Sequence, residues 1–500
     1  MSGPRSLARG ASPRIDLLAA PGEEAVPLHL RLYRQIRGHI LSGALGPAAR
    51  LPSARMLARD LAVSRNTVEA AFAQLVDEGF VERRVGAGTV VVESLGDAAP
   101  FARPKSSQGP RATAAIARTA PQPLRLGERG RAMAELGQAE IDSDTGTGTW
   151  ATNAPEFPWR DWNRLQSRQA RRSGSELLAA FPQAGLTELR SQIAKYASLA
   201  RGVRCEAGQV LVVNSTQQAI DLAARLLLDP RQPALIENPC YPSAYAALIA
   251  AGADVRGIPV DDEGAVVEAL PEKSEAGLFY VTPSHQFPLG MTMSLPRRLA
   301  LLHWAERTGT WILEDDYDSE FRHDGRPIAA LQALDRADRV IYVGTFNKVL
   351  FPGLRLAYLI VPENLVDAFA AARRIVDGYT APLAQVVLAE FMASGQFARY
   401  LRQAKRHFAD CRNAVVESIA ETWGDAVRLG PSSTGLHIVA HLPGRTDDRA
   451  LAAKVHGTPS VAPLSRYYLG REKKKGLMIH YGTAGPEEIR AAIRRLRPPF

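Results

Sequence analysis

The sequence predicts a multidomain fold: an N-terminal α+β module, a helix-turn-helix followed by a β-hairpin, and a larger C-terminal α/β module with a doubly wound sheet. Three observations carry this. Near the N-terminus, two short helical stretches each follow a serine and precede two β-branched runs punctuated by glycine. From about residue 150 onward, apolar β runs alternate with helical stretches, as in sheets built from strand and crossover helix. Between the two lies a segment almost free of large apolar residues.

In PLHLRLYRQIRGHILSG, Leu28, Leu32, Ile36 and Ile40 recur at every fourth position, Tyr33 and Leu41 widen the stripe and Gly43 ends it, which makes an amphipathic helix. Ser53 can cap a short helix in SARMLARDLAV, and Ser64 another in SRNTVEAAFAQLVDEGF, which stops at Gly79. VERRVGAGTVVV then reads as two β runs around Gly86 and Gly88, a wing. In such a pair the second helix presents its first residues to base edges in the major groove, while basic side chains hold phosphates. Here those residues are Arg65, Asn66, Thr67 and Glu69, with Arg50 and Arg55 nearby. Arginine matches guanine, asparagine matches adenine and glutamate can accept from cytosine. A small helical protein-interaction module fits the bare helix-turn-helix pattern equally well.

Residues 96–140 are rich in Ala, Pro, Arg, Ser and Gly and cannot bury enough surface to offset ordering. They read as a flexible linker between a module over 24–95 and one over 141–500. At 46% hydrophobic and 23% charged, 500 residues make ordinary globular domains. The three cysteines, Cys205, Cys240 and Cys411, are widely spaced, so neither a disulfide framework nor a zinc site is supported, and no metal is expected. The N-terminus lacks a signal-peptide core and no stretch approaches the ~20 apolar residues of a membrane span, so the expectation is a cytoplasmic protein without a membrane partner. A net charge of +9 is compatible with nucleic acid without proving it.

In the C-terminal module the runs QVLVV, PALIE, DVRGIPV, GLFYVT, WILED, RVIYVGT and RLAYLIV read as strands, and conspicuous polar residues fall at their ends. In NSTQQ, the amides and hydroxyls of Ser215, Thr216 and Gln217 open a helix where the dipole favours a phosphate, although an ordinary N-cap explains them as well. Tyr241 in ENPCYPSAY is available to stack on a flat ring or to pack under its loop. WILEDDYDSEF crowds Glu314, Asp315, Asp316 and Asp318 around Tyr317, an arrangement that needs a cation among the acids, with metal binding as a competing reading. Lys348 unites these pieces. A lysine near apolar walls has a lowered pKa and can condense with an aldehyde. Pyridoxal 5′-phosphate supplies that aldehyde, a phosphate for Arg355 and the Ser215/Thr216 helix end, a ring for Tyr241, and a pyridine nitrogen that needs a carboxylate such as Asp315. Tyr317, two residues on and on the same side of an extended strand, can bond the ring hydroxyl.

Residues 27–92 resemble the GntR-type winged helix, on RLPSARMLARDLAVSRNTVEAAFAQLVDEGF together with GAGTVVV. That resemblance implies DNA binding, with Arg50, Ser53, Arg55, Ser64, Arg65, Thr67 and Gly88 at the DNA face. From about 150 to 500 the chain resembles fold-type I aminotransferases, more narrowly the aminotransferase-like half of MocR/GabR-type regulators. Supporting runs include FPQAGLTELRSQIAKYASLARGV, TPSHQFPLGMTMSLPRRLALLHWA, EDDYDSEFR and YVGTFNKVLFPGLRLAYLIVP. The resemblance implies a large α/β domain with a small C-terminal α+β domain, and pyridoxal phosphate held by Lys348, Asp315, Tyr317, Tyr241 and Arg355. His285, Gln286 and Phe287 fall where these enzymes line the ring's hydroxyl side. Asn347 stands where the family usually has Ser before the lysine, and Ser215 where Gly commonly precedes Thr-Gln-Gln. Arg466 in VAPLSRYYLG is the candidate for an effector's carboxylate, against a surface or interdomain salt bridge. Ser243 stands where a regulator of a γ-amino acid has a second arginine. The expected partners are operator DNA, an amine or amino acid effector or pyridoxal phosphate itself, and a second copy in a head-to-tail homodimer. A working aminotransferase carrying a DNA-binding domain is the alternative, and a third reading makes the large module only a dimerisation scaffold.

Overall fold

The computed structural model describes residues 26–84, 88–92, 126–143 (backbone alone for 139–143), 157–172, 181–455, 457, 459–471 and 473–495. The chain divides into two compact units, Met1–Gln122 and Pro123–Phe500.

The first unit contains helices α1 (Leu28–Leu41), α2 (Ala54–Asp60) and α3 (Arg65–Asp77) and an antiparallel hairpin of β1 (Val81–Arg84) and β2 (Gly88–Val91). The two expected caps are present: Ser53 Oγ accepts from the Met56 amide at 3.2 Å, and Ser64 Oγ from the Thr67 amide at 3.1 Å. Gly79, at φ +74°, ends α3 as expected. Leu32, Ile36 and Ile40 of α1 meet Leu57, Val68, Phe72 and Leu75 in one core, closed by Val81 and Val91. Leu28, at the start of the stripe, stays 45% exposed because the core begins one turn later. Gly86, at the expected wing tip, lies outside the described residues, as do residues 24, 25 and 93–125 of the expected module and linker.

The second unit opens with α4 (Glu128–Ser143), α5 (Trp159–Arg172) and α6 (Thr187–Arg201). There follow β3 (Val210–Val213), α7 (Thr216–Leu227), β4 (Pro233–Asn238), α8 (Pro242–Ala251), β5 (Asp254–Asp261), β6 (Gly264–Ala265), β7 (Leu278–Val281), α9 (Leu295–Thr308), β8 (Trp311–Asp316), β9 (Val340–Thr345) and β10 (Ala357–Ile360). These strands form one mixed sheet in the order β3-β10-β9-β8-β7-β4-β5-β6. Only β10 and the short β6 run antiparallel to their neighbours, so β3, β4, β7, β8 and β9 end on the same edge. Strand residues alternate between two apolar layers: Val210, Val212 and Tyr342 face one cluster, and Leu211, Val213, Ile341 and Val343 the other. Both faces being covered, the strands are continuously apolar, and each fully buried large side chain contributes about 1.5–3 kcal/mol.

The chain continues through α10 (Val366–Val376), α11 (Pro382–Ala393) and the long α12 (Gln396–Trp423) into a small α+β domain. Its strands β11 (Arg428–Leu429), β12 (His437–His441), β13 (Ser460–Pro463) and β14 (Gly476–His480) form an antiparallel sheet in the order β11-β12-β14-β13, accompanied by α13 (Asp448–Ala452) and α14 (Pro486–Arg495). The small domain meets the large one beside β8, where the Leu436 amide donates to Asp318 at 3.2 Å. Gly435 is required there: a Cβ on it would collide with the His285 ring.

The expected linker is corrected at its C-terminal end. Residues 128–140 are helical, within α4, and belong to the second unit. Their Ala, Glu, Arg and Met content favours helix, and the helix is held by tertiary contact, since Arg129 Nε and Nη2 both donate to the Ala250 carbonyl at the end of α8, at 3.0 and 2.6 Å.

Candidate functional site

The residues singled out in the large module gather beyond the common edge where β3, β4, β7, β8 and β9 end, the position at which open α/β sheets bind ligands. After β9, Lys348 is partly buried, and burial lowers its ammonium to a pKa of about 7, while Asp318 and Asp315 pull the other way. Asp315, near the end of β8, is fully enclosed. Its Oδ2 accepts from Tyr280 at 2.7 Å, its Oδ1 is buried without a hydrogen-bond partner among the described residues, and burial raises its pKa to about 7. A buried carboxylate oxygen left bare is costly, and a pyridinium N–H would satisfy it.

A second group forms a cup. Ser215, Gln217, Tyr241, Ser243 and Arg355 line a cavity of about 720 Å³. Ser215 Oγ is the N-cap of α7, accepting from the Gln218 amide at 3.2 Å, which leaves its O–H proton, together with the helix end, to face an anion. Thr216 opens the helix without lining the cavity. Gln217 Nε2 donates to the Ser243 carbonyl at 2.9 Å, and its Oε1 is buried without a hydrogen-bond partner among the described residues. Arg355 is exposed to the cavity in the left-handed conformation, φ +54°, which Ala48, Ala62, Arg231 and Asp338 also adopt.

Tyr241 connects the two groups. It meets Phe287 edge-on at 5.4 Å, and Phe287 in turn meets Tyr317 at 6.0 Å and Tyr467 at 5.3 Å. Tyr317 lies just past β8, which ends at Asp316, so its direction comes from a bend rather than from strand alternation. Its hydroxyl donates to the His285 carbonyl at 3.0 Å and lies 3.0 Å from His285 Nδ1. Gln286 is committed to backbone, donating to Pro239 O at 3.0 Å and Phe287 O at 2.7 Å. Arg466, in the turn Leu464–Tyr467, lies over the Tyr467 ring at 5.3 Å. That turn is tied to the Tyr241 loop by the Cys240 amide donating to Tyr467 O at 3.0 Å.

The acidic run does not converge on one ion. Glu314 accepts from the Leu331 and Gln332 amides, and Asp316 pairs with Arg201 at 2.7 Å and with Tyr342 at 2.6 Å. Alternation along β8 sends Asp315 to the opposite face from these two. Asp318 receives His285 Nδ1 at 3.0 Å. His285, Asp318 and His437 also bring potential ligand atoms within 4.8 Å of one another; His437 Nε2 lies 3.0 Å from Pro288 O, and burial holds this ring well below the ordinary histidine range, which keeps it neutral. Arg201, Tyr280 and His437 were not foreseen; each reaches the site from a remote segment without a local motif. Asn347 answers its own question: Oδ1 accepts from the Leu356 amide at 2.9 Å and Nδ2 donates to Asn214 O at 3.3 Å, so it braces the Lys348–Arg355 loop against β3.

These residues fit pyridoxal phosphate: an amine of low pKa, a bare buried carboxylate oxygen, and a cationic cup at a helix N-terminus. With the Lys348 midpoint near 7, the amine is neutral above that pH and charged below it. Formation of the cofactor's visible absorption band should therefore be about tenfold slower near pH 6 than near pH 8, then level off. Stopped-flow absorbance checks this, and a rate still climbing at about pH 10, as an ordinary lysine requires, would sink it.

In the first unit, Arg50, Arg55, Arg65 and Asn66 are exposed. Ser53 and Ser64 serve as caps, and Thr67, whose amide donates to Ser64 Oγ, also has its Oγ1 2.8 Å from that atom. Glu69 is drawn between Arg83, at 2.7 Å, and Arg65, at 3.7 Å, which ties the wing to α3 and leaves it little freedom to read cytosine. Gly88 sits at φ +84°, a backbone conformation that favours glycine, with the Arg50 guanidinium in ordinary contact range of it.

Comparison with known proteins agrees with both modules. Residues 28–91 match the family of bacterial regulatory proteins of the gntR type, and residues 146–462 match aminotransferase class I and II. Over 487 residues, 97% of this chain and 96% of the relative, the protein is 36% identical to the probable rhizopine catabolism regulatory protein MocR of Rhizobium meliloti. It is 30% identical over 480 residues to the pyridoxine biosynthesis transcriptional regulator PdxR of Corynebacterium glutamicum, covering 96% of this chain and 97% of that one. Among solved structures, α-aminoadipate aminotransferase LysN of Thermus thermophilus, complexed with N-(5′-phosphopyridoxyl)-L-leucine, superposes with a TM-score of 0.66 at 26% identity, over 74% of this chain and 96% of LysN. A gntR-type DNA-binding module joined to a fold-type I aminotransferase-like domain defines a class of transcriptional regulators. Similarity along nearly the whole length narrows the class: the chain belongs to the MocR family.

Proposed function

We propose that this regulator binds operator DNA through Arg50, Arg55, Arg65, Asn66 and the wing at Gly88, and binds pyridoxal phosphate in the large unit. The observation that carries the cofactor reading is Lys348, its pKa lowered to about 7, beside Asp315 with a buried, unpartnered carboxylate oxygen. When bound, the cofactor supplies an electrophilic carbon and an electron sink. Lys348 holds it, Asp315 keeps the ring nitrogen protonated, Tyr241 packs on the ring, Tyr317 and His285 stand on its hydroxyl side, and Arg355 with the Ser215, Thr216 and Gln217 helix end takes the phosphate. Arg466, on the aromatic group next to Tyr241, is placed to meet the anionic end of an amine or amino acid effector. Pyridoxal phosphate itself is the other signal that fits the site. The molecule works as a head-to-tail homodimer in the cytoplasm, and each ligand shifts DNA binding only by its differential affinity for two arrangements. Among the described residues no helix is long and apolar enough to cross a membrane.

Aminotransferase turnover is the second reading, supported by the intact Lys348 and Asp315 and by likeness to LysN. We take the regulatory role as primary because the DNA-binding module comes with the domain and relatives spanning its length are named as regulators. Titrating the cofactor-loaded protein with amines and amino acids, in the presence and absence of a keto acid, tests this. A stable spectral change with one amine, accompanied by altered DNA affinity, is expected; repeated conversion of amine and keto acid without any effect on DNA binding would place the protein among the enzymes.

A further inference from the structure

We propose that α4 is a wall of the cup at the phosphate end of the cofactor site, the cavity lined by Ser215, Gln217, Tyr241 and Arg355 and not by Lys348 or Asp315, and that it transmits the cup's occupancy towards the DNA-binding module. This rests on the cofactor reading above and extends it to a helix that composition assigns to a linker. Arg129, Met133 and Gly137 are spaced four residues apart and therefore share one face of α4. Arg129 anchors that face by donating twice to the Ala250 carbonyl, one of the carbonyls that the last turn of α8 leaves without a helical partner. Met133 and Gly137 then line the same cavity as Ser215, Gln217, Tyr241 and Arg355.

The side chains chosen suit a movable wall. Met133 is still 49% exposed, an apolar group that gains burial when the cavity fills. Gly137 sits inside a helix at a cost in stability, and a Cβ there would meet nothing within 4 Å, so no close backbone packing demands glycine and the space in front of it is kept open. α4 is the first described element after the segment that leaves the first unit, and it rests on α8, whose other end carries Tyr241. Filling the cavity thus bears directly on α4, the first described element after residue 125.

The test uses the full-length protein, with Arg129→Ala to release the anchor and Gly137→Phe to place a ring in the open space; the second change raises helix propensity, so a loss is not simple unfolding of α4. Hydrogen exchange at the amides of α4 should slow when pyridoxal phosphate is added to the wild type. In Arg129→Ala the slowing should vanish and the cofactor should dissociate about tenfold faster with an unaltered spectrum. Gly137→Phe should weaken cofactor affinity by about tenfold. The cofactor-dependent change in DNA affinity should be lost in Arg129→Ala while affinity without cofactor is kept. Unchanged exchange in α4, together with wild-type cofactor binding in both variants, would remove α4 from the cavity. Equal DNA affinity with and without cofactor in the wild type, or a cofactor effect that survives Arg129→Ala, would overturn the transmission. A wild type that develops no cofactor band at all would bring down the cofactor reading itself, and this inference with it.

Discussion

Lys348→Ala is expected to abolish the visible absorption band that marks lysine-bound pyridoxal phosphate and to weaken retention of the cofactor on the order of 100-fold, about 2.7 kcal/mol. The side chain combines partial burial with two acids, Asp315 and Asp318, close enough to act on its charge. Burial dominates, leaving a neutral amine available at physiological pH, where a solvated lysine would be almost wholly charged. Removing it takes away the covalent partner but leaves Arg355, the α7 N-terminus and the bare Asp315 oxygen, which is why residual affinity is expected. Absorbance before and after dialysis gives the answer. A variant that keeps both the band and the affinity would show that the lysine is structural and would support the scaffold reading of the large unit.

The second large effect is expected in the first unit. Replacing Arg55 and Arg65 together by alanine should weaken binding to a DNA fragment selected by the wild-type protein on the order of 100-fold or more, since each arginine at a base or phosphate is worth about 1–3 kcal/mol. Both side chains are exposed, so stability should move by no more than about 0.5 kcal/mol. If the contacts are to phosphates, the slope of affinity against salt should also fall by about one for each. The cofactor band should not change. Retained DNA affinity in this variant would move the DNA face away from the α2–α3 pair.

Much of the fold could be read from local signals. Ser53 and Ser64 cap the helices expected of them, Gly79 ends α3, and the apolar runs became the strands of one sheet. Lys348, Asp315, Tyr241 and Arg355 were legible as a set because a ligand site at strand ends requires polar residues to interrupt apolar runs, and those interruptions are visible in a linear sequence. The acidic run shows the limit. Its residue types were plain, yet Asp316 is paired with Arg201, 115 positions earlier in the chain, and Glu314 accepts hydrogen bonds from amides 17 and 18 positions later. The run looked like one cluster because the remote partners that claim Glu314 and Asp316 are invisible from the run itself.

The helix at 128–143 shows the same limit in a different form. Its large apolar residues, Met133, Leu136 and Ile141, are few and form no continuous stripe, and its anchor is a hydrogen bond spanning 121 positions, from Arg129 to Ala250. The amino-acid sequence by itself determined the two modules, their order, the capped helices, the apolar strands and the residue types at the cofactor site, because caps, periodicity and strand ends are properties of neighbouring residues. Tertiary structure alone decided which acid keeps a bare oxygen, that Asn347 braces the lysine loop, that Gln286 is spent on backbone, and that α4 borders the cavity. Those outcomes depend on which distant groups meet, and a buried polar atom acquires its partner, or goes without one, only when the chain has closed around it.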